Sequence, residues 1–195
     1  MEIHPTRIPG RWREGYALDI QTVKSVCLGE DEYGHPRFEN ERSAMGECLK
    51  QLKYDGDLSV VPKLVETAVA FIEWWQVEPD LIVPVPPSRP RNLQPVILLV
   101  EEFSNRLGIP AVFDAVTASR VPKEMKDVDD FNERMRLLDG AYTASREKTE
   151  GKRVLLFDDL FRSGATMNVI TSLILDQGGA IDVYALTLTR TRSNR

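Results

Sequence analysis

The sequence predicts an α/β protein built on a parallel sheet, with a small β appendage near its N-terminus. Three observations carry this. From Leu81 onward, short apolar runs alternate with helical stripes, which is the pattern of successive strand–helix units. One of those runs, Val154-Leu155-Leu156-Phe157, is apolar at every position, as a strand covered on both faces must be. Ahead of Leu81, the β-branched residues Ile20, Thr22, Val23 and Val26 lead to breakers at Gly34 and Pro36, a strand–turn–strand signal. These divide the chain into an arm with its appendage, residues 1–42, and an α/β domain, residues 43–195.

Composition narrows the class. In 195 residues, 42% are hydrophobic, enough for a core and too many for a disordered chain. A net charge of −5 argues against a general duplex-DNA binder, and no nucleic-acid partner is expected. Cys27 and Cys48 have neither metal-ligand spacing nor the density of a disulfide scaffold. No apolar run has membrane-spanning length and residues 1–10 hold no apolar signal core, so the expectation is a cytoplasmic protein without a membrane partner.

The elements follow in order. Residues 1–15 are rich in Pro, Gly and Arg and read as an irregular arm. Its arginines Arg7, Arg11 and Arg13 suit either a flap over an anion or, the preferred reading, a solvated tail. Ser43 is a candidate N-cap for a helix marked by Met45, Cys48, Leu49 and Leu52, broken at residues 53–57. Val61, Leu64, Val65, Ala68, Ile72 and Trp75 form a stronger stripe, with Trp74 and Trp75 read as packing residues. Residues 81–86 form a buried strand that Pro84 interrupts. Ser88, Arg89 and Arg91 follow at its carboxyl end, where the arginines suit a pyrophosphate or, equally, a solvated loop. A helix runs to Gly108, a good C′ residue. Residues 116–130 form a long polar loop, either a lid carrying Lys123 and Lys126 or a solvated segment. A helix at 131–138, a helix stripe at Met167, Ile170, Leu173 and Ile174, and a strand at 181–188 complete the chain.

The most informative stretch is residues 154–166. Asp158 and Asp159 stand at the carboxyl end of the buried strand, where open α/β sheets bind ligands. Arg162, an exposed insertion in this reading, precedes Ser163-Gly164-Ala165-Thr166, a small-residue turn opening a helix. Such a turn presents free amides and the positive end of the helix dipole to a phosphate. Two acids beside it suit a ligand that also carries vicinal hydroxyls. A ribose 5-phosphate satisfies both. Neither Gly-x-x-x-x-Gly-Lys-Ser/Thr nor Gly-x-Gly-x-x-Gly occurs.

This stretch resembles the ribose-phosphate motif of the type I phosphoribosyltransferases, whose core is a Rossmann-like parallel sheet. Leu52-Lys53-Tyr54-Asp55-Gly56-Asp57, Val83-Pro84-Val85-Pro86 and the segment 133–142 further resemble the ComF (competence protein F) branch. The likeness extends over about residues 52–189. It implies that Asp158 and Asp159 hold ribose hydroxyls. Ser163, Gly164, Ala165 and Thr166 would hold the 5-phosphate, with Arg162 beside them. Ser88, Arg89, Arg91 and the lid lysines Lys123 and Lys126 would face the pyrophosphate. Mg²⁺ is implied with phosphoribosyl pyrophosphate, bound through substrate oxygens with Asp158 and Asp159 as candidate contacts. The implied activity is phosphoribosyl transfer to a nitrogenous acceptor. The alternative is a non-catalytic ribose-phosphate or nucleotide sensor, or a DNA-uptake accessory protein. A homodimer is the candidate assembly. The chain departs from common ComF sequences in lacking paired zinc-binding cysteines and in having Asn92-Leu93-Gln94-Pro95-Val96 where many carry Arg-Gly-Phe-Asn-Gln; the second departure favours the sensor.

Overall fold

The computed structural model describes residues 1–87, 93–119 and 131–192. Its strands are β1 (Thr6–Arg7), β2 (Glu14–Ile20), β3 (Thr22–Glu30), β4 (Pro36–Arg42), β5 (Leu81–Pro84), β6 (Val116–Ala118), β7 (Tyr142–Ala144), β8 (Arg153–Phe161) and β9 (Asp182–Arg190). Its helices are α1 (Ala44–Lys50), α2 (Val61–Trp75), α3 (Pro95–Leu107), α4 (Phe131–Leu137), α5 (Arg146–Thr149) and α6 (Ala165–Asp176). A five-stranded sheet has the order β1-β2-β9-β8-β5. Its β2–β9, β9–β8 and β8–β5 pairs are parallel, and β1 closes one edge antiparallel.

Alternation along the central strands sorts the core into two layers. Val154, Leu156, Val183, Ala185 and Ala17 face α6, with Met167, Ile170 and Ile174, and the small β6–β7 sheet. Leu155, Phe157, Leu186, Leu188 and Leu18 face α1, α2 and α3, with Met45, Leu49, Leu64, Ala68 and Phe103. Phe103 meets Phe157 edge to face, with ring centroids 4.9 Å apart. Coverage on both faces is what the unbroken apolar run of β8 requires.

The local signals act as expected at several ends. Ser43 Oγ accepts the Gly46 amide at 3.0 Å and caps α1. Gly108 ends α3 in the left-handed conformation, φ 67°. Pro84 is tolerated because of where its missing donor falls. Ile82 bonds outward to Pro110 and Val112, and Val85 bonds inward to Phe157. By alternation the Pro84 nitrogen faces outward, away from β8.

Three expectations change. First, β2 was expected within the N-terminal appendage but pairs with β9 along its length; the hairpin β3–β4 alone stands apart. Thr187 and Leu186 of β9 offer Ala17 and Tyr16 a ladder that the sequence of β2 does not announce. Second, the N-terminal arm is not a solvated tail. Ile8 and Trp12 are buried. Arg7 pairs with Glu14, Arg11 with Asp176 and Arg13 with Asp182. Burial of two large apolar side chains outweighs the entropy of a free arm. Third, the helix expected to break at residue 53 continues as a single π-turn, Gln51–Asp55, before Gly56 ends it at φ 69°. Among the described residues no helix is long and apolar enough to cross a membrane.

Candidate functional site

The site lies at the carboxyl edge of the parallel sheet, where β8 gives way to α6. The sequence reading placed both acids after the strand; the structure places them inside it. β8 continues to Phe161 because Asp158, Leu160 and Phe161 pair with Thr187, Thr189 and Arg190. Consecutive strand residues point to opposite faces, so the two carboxylates diverge. Asp158 falls on the α6 side, near the buried Tyr142, and Asp159 on the side of α1 and α2.

Their environments differ accordingly. Asp159 Oδ2 lies 2.7 Å from Lys53 Nζ, with only 14% of the lysine side chain and 15% of the aspartate side chain exposed. The π-turn carries Lys53 onto that carboxylate. Lys53 is the residue of this edge that sequence reasoning missed as a site candidate. Its signal was the Leu52-Lys53-Tyr54 segment, noted there only as a family resemblance. Among the described residues no ion pair to Asp158 occurs. Its Oδ1 accepts the Asp159 amide at 2.8 Å. Desolvation in its half-buried position, followed by the neighbouring Asp159 charge, pushes its carboxyl up to about 8; the Asp159 amide and the Lys53 charge pull the other way. Tyr142 is pushed up to about 12, by burial and then by Asp158.

The turn after the strand is built around Gly164. It sits at φ 77°, where a side chain is strained. A Cβ there would come within 2.6 Å of the Phe161 ring. The Ser163 hydroxyl accepts the Ala165 amide at a long 3.4 Å. Gly164 and Ala165 are buried, Ser163 and Thr166 half-buried, and Arg162 exposed. No side chain caps α6 from its N-cap position and no acid lies in its first turn. Gly164 thus gives the first amides of α6 no side-chain cap of its own, and the Ala165 amide has only the long bond to Ser163. The structure therefore brings Asp158, Asp159, Ser163, Gly164, Ala165 and Thr166 to one edge. Ser88, Arg89, Arg91, Lys123 and Lys126 lie outside the described residues. Among the described residues no cluster of three metal-ligating side chains occurs.

Comparison with solved structures places this architecture in a class. The fold matches glutamine phosphoribosylpyrophosphate amidotransferase from Bacillus subtilis, complexed with ADP and GMP, with a TM-score of 0.52 and 21% identity over 81% of this chain and 34% of that one. It matches an allosteric regulatory enzyme of purine biosynthesis with a TM-score of 0.50, 21% identity and the same coverage, 81% and 34%. The chain has the type I phosphoribosyltransferase fold. No family model matches it. In sequence it is 25% identical over 149 residues to the competence protein ComFC of Bacillus subtilis (strain 168). That match takes in 75% of this chain and 60% of ComFC, so the chain spans less than two thirds of its curated relative. In sequence the chain is thus similar to ComFC, and in fold to the phosphoribosyltransferase structures.

Proposed function

We propose that this chain binds phosphoribosyl pyrophosphate at the β8–α6 edge and transfers the phosphoribosyl group to a nitrogenous acceptor, a nucleobase being the first class to test, with release of pyrophosphate. One observation carries the reading: two carboxylates at the sheet edge are followed within a few residues by a helix N-terminus whose N-cap is a glycine without a capping side chain. The diol of a ribose phosphate suits the first and its phosphate the second.

In the transfer, the acceptor nitrogen forms a bond to the anomeric carbon. The bond from that carbon to the diphosphate oxygen breaks, and its electron pair leaves with pyrophosphate. The proton of the acceptor nitrogen passes to solvent. Asp159, held by Lys53, would orient a ribose hydroxyl and stabilise positive charge on the ring. Asp158, pushed toward its protonated form, would donate as well as accept. The amides of residues 163–166 would fix the 5-phosphate and so the attack geometry. Arg89, Arg91, Lys123 and Lys126 keep their proposed role at the leaving group on sequence grounds.

Mg²⁺ fits this donor set in one way. Among the described residues no third ligating side chain joins the two carboxylates to make a protein cage, whereas Mg²⁺ binds readily through one or two carboxylates and substrate phosphates. The ion would be held mainly through substrate oxygens, with either Asp158 or Asp159, which face opposite sides of β8, as a candidate protein contact, and it would supply charge neutralisation to the diphosphate.

A second reading has its own support. The likeness to a competence protein favours a non-catalytic ribose-phosphate or nucleotide-binding accessory. Calorimetric titration with phosphoribosyl pyrophosphate, with and without Mg²⁺, tests the site. Mg²⁺-dependent micromolar binding, about −8 kcal/mol, is expected, and its loss in the Asp158→Asn, Asp159→Asn double variant. Unchanged affinity in that variant would refute the site. Pyrophosphate release only when an acceptor base is added supports the transferase; binding without release supports the accessory protein.

A further inference from the structure

Residues 8–13 lie against the turn that opens α6 and reach it by two routes. The first is aromatic. Trp12 is buried, and its Nε1 donates to the Ile8 carbonyl at 3.0 Å. Gly10 and Gly15 leave room for the indole, since a Cβ at either would collide with it. The indole meets Phe161 edge to face, with centroids 6.2 Å apart and planes at 82°. The Phe161 ring in turn covers Gly164 so closely that only a glycine fits. The second route is polar. Asn168, buried one turn into α6, donates through Nδ2 to the Gly164 carbonyl at 2.9 Å. Its Oδ1 accepts the backbone amide of Arg11, also at 2.9 Å. The Arg11 side chain donates to Ser172 at 2.9 Å and sits 3.5 Å from Asp176, which pins the arm along α6.

Both routes end on Gly164, the residue whose left-handed conformation aims the peptides on either side of it. An anion cradle gains affinity when its amides already converge before the ligand arrives. Gly164 supplies no capping side chain of its own, and Ser163 bonds the Ala165 amide only at a long 3.4 Å. The hold comes instead from the Phe161 ring on one side and the Asn168 amide on the other, and the arm backs both.

We propose that Trp12 and Asn168 are positioning residues for the phosphate turn. Through them the docked N-terminal arm keeps Gly164 left-handed, so that the amides of residues 163–166 converge on a phosphate. The ligand in this statement rests on the phosphate reading of the turn given above; the hold of the arm on Gly164 does not. Loosening the arm therefore weakens phosphate binding without touching either carboxylate.

The test uses the full chain and ribose 5-phosphate as the probe. Wild type, Trp12→Ala, Trp12→Phe and Asn168→Ala are titrated calorimetrically. Amide hydrogen exchange is followed without ligand at Asn168, whose N–H donates to the Gly164 carbonyl at 2.9 Å, and in the β9 ladder. The two alanine variants should lose about tenfold in affinity. They should exchange the backbone amide of residue 168 faster while β9 keeps its protection, and Trp12→Phe, which keeps a ring edge on Phe161, should recover most of the loss. Unchanged affinity in both alanine variants overturns the proposal. So does faster exchange throughout β9, which would mark general destabilisation. If wild type binds no ribose 5-phosphate, the phosphate reading falls, and the exchange data alone decide the hold of the arm: an unaltered Asn168 amide in Trp12→Ala overturns it.

Discussion

Replacing Asp158 by Asn should stabilise the protein above neutral pH and do nothing for it in acid. The carboxyl is pushed from 3.8 to about 8 by desolvation and then by Asp159. A folded-state value above the unfolded one means that the native chain binds this proton more tightly. Stability is then lost as pH rises between the two values and is level beyond them. The full displacement would correspond to about 5–6 kcal/mol at 1.36 kcal/mol per pKa unit. Water reaching a half-buried carboxyl trims this, and about 2–4 kcal/mol is the expected size. Asn keeps the acceptor for the Asp159 amide and carries no charge to desolvate. Urea unfolding of both proteins at several pH values between 4 and 9 reads the difference directly. The two curves should coincide near pH 4 and separate steadily toward pH 8, with Asn the more stable. Parallel curves across that range would refute the argument, because they would mean that Asp158 ionises in the fold as readily as in the unfolded chain.

Lys53→Met strips the cation from a pair whose side chains are 14% and 15% exposed, and should cost about 1–3 kcal/mol in urea unfolding. The same change removes one of the influences that lower Asp158, so the titration midpoint of that group should rise further in an NMR pH series. Gly164→Ala places a Cβ at φ 77° within 2.6 Å of the Phe161 ring, and should destabilise by about 2–4 kcal/mol, read as a fall in Tm; an unchanged Tm would show that the turn relaxes freely. Thr22 and Arg42 are paired at the base of the β3–β4 hairpin, so an Asn-Gly turn can replace the residues between them. The hairpin is exposed nearly throughout, and the shortened protein should keep its Tm to within about 3 °C by calorimetry.

Much of the fold could be read because its signals are local. The apolar run of β8, the helical stripes of α2 and α6, the Ser43 cap and the Gly108 stop each depend on residues a few positions apart. What escaped depends on distant partners. Nothing in Leu160-Phe161 announces that β8 continues; Thr189 and Arg190 of β9 decide it. Trp12 looks like part of a polar arm until Gly10, Gly15 and Phe161 are brought around it. Glycines in the arm suggested irregularity, whereas two of them make room for an indole.

The acid pair illustrates the same division within the site. Composition and order were enough to single out Asp158 and Asp159, but not to tell them apart, because side by side in a sequence they look equivalent. In a strand they cannot be, since one residue of offset sends them to opposite faces. The face of α1 and α2 carries a π-turn that brings Lys53 against Asp159, while the α6 face offers Asp158 the buried Tyr142 and, among the described residues, no ion pair. Lys53 still acts on Asp158, but its influence is outweighed by desolvation and by the Asp159 charge. A single strand thus presents one carboxylate held by an ion pair and one carboxyl inclined to keep its proton. A diol placed across that edge would meet an acceptor on one side and a group able to donate on the other, a distinction made by strand alternation rather than by residue type.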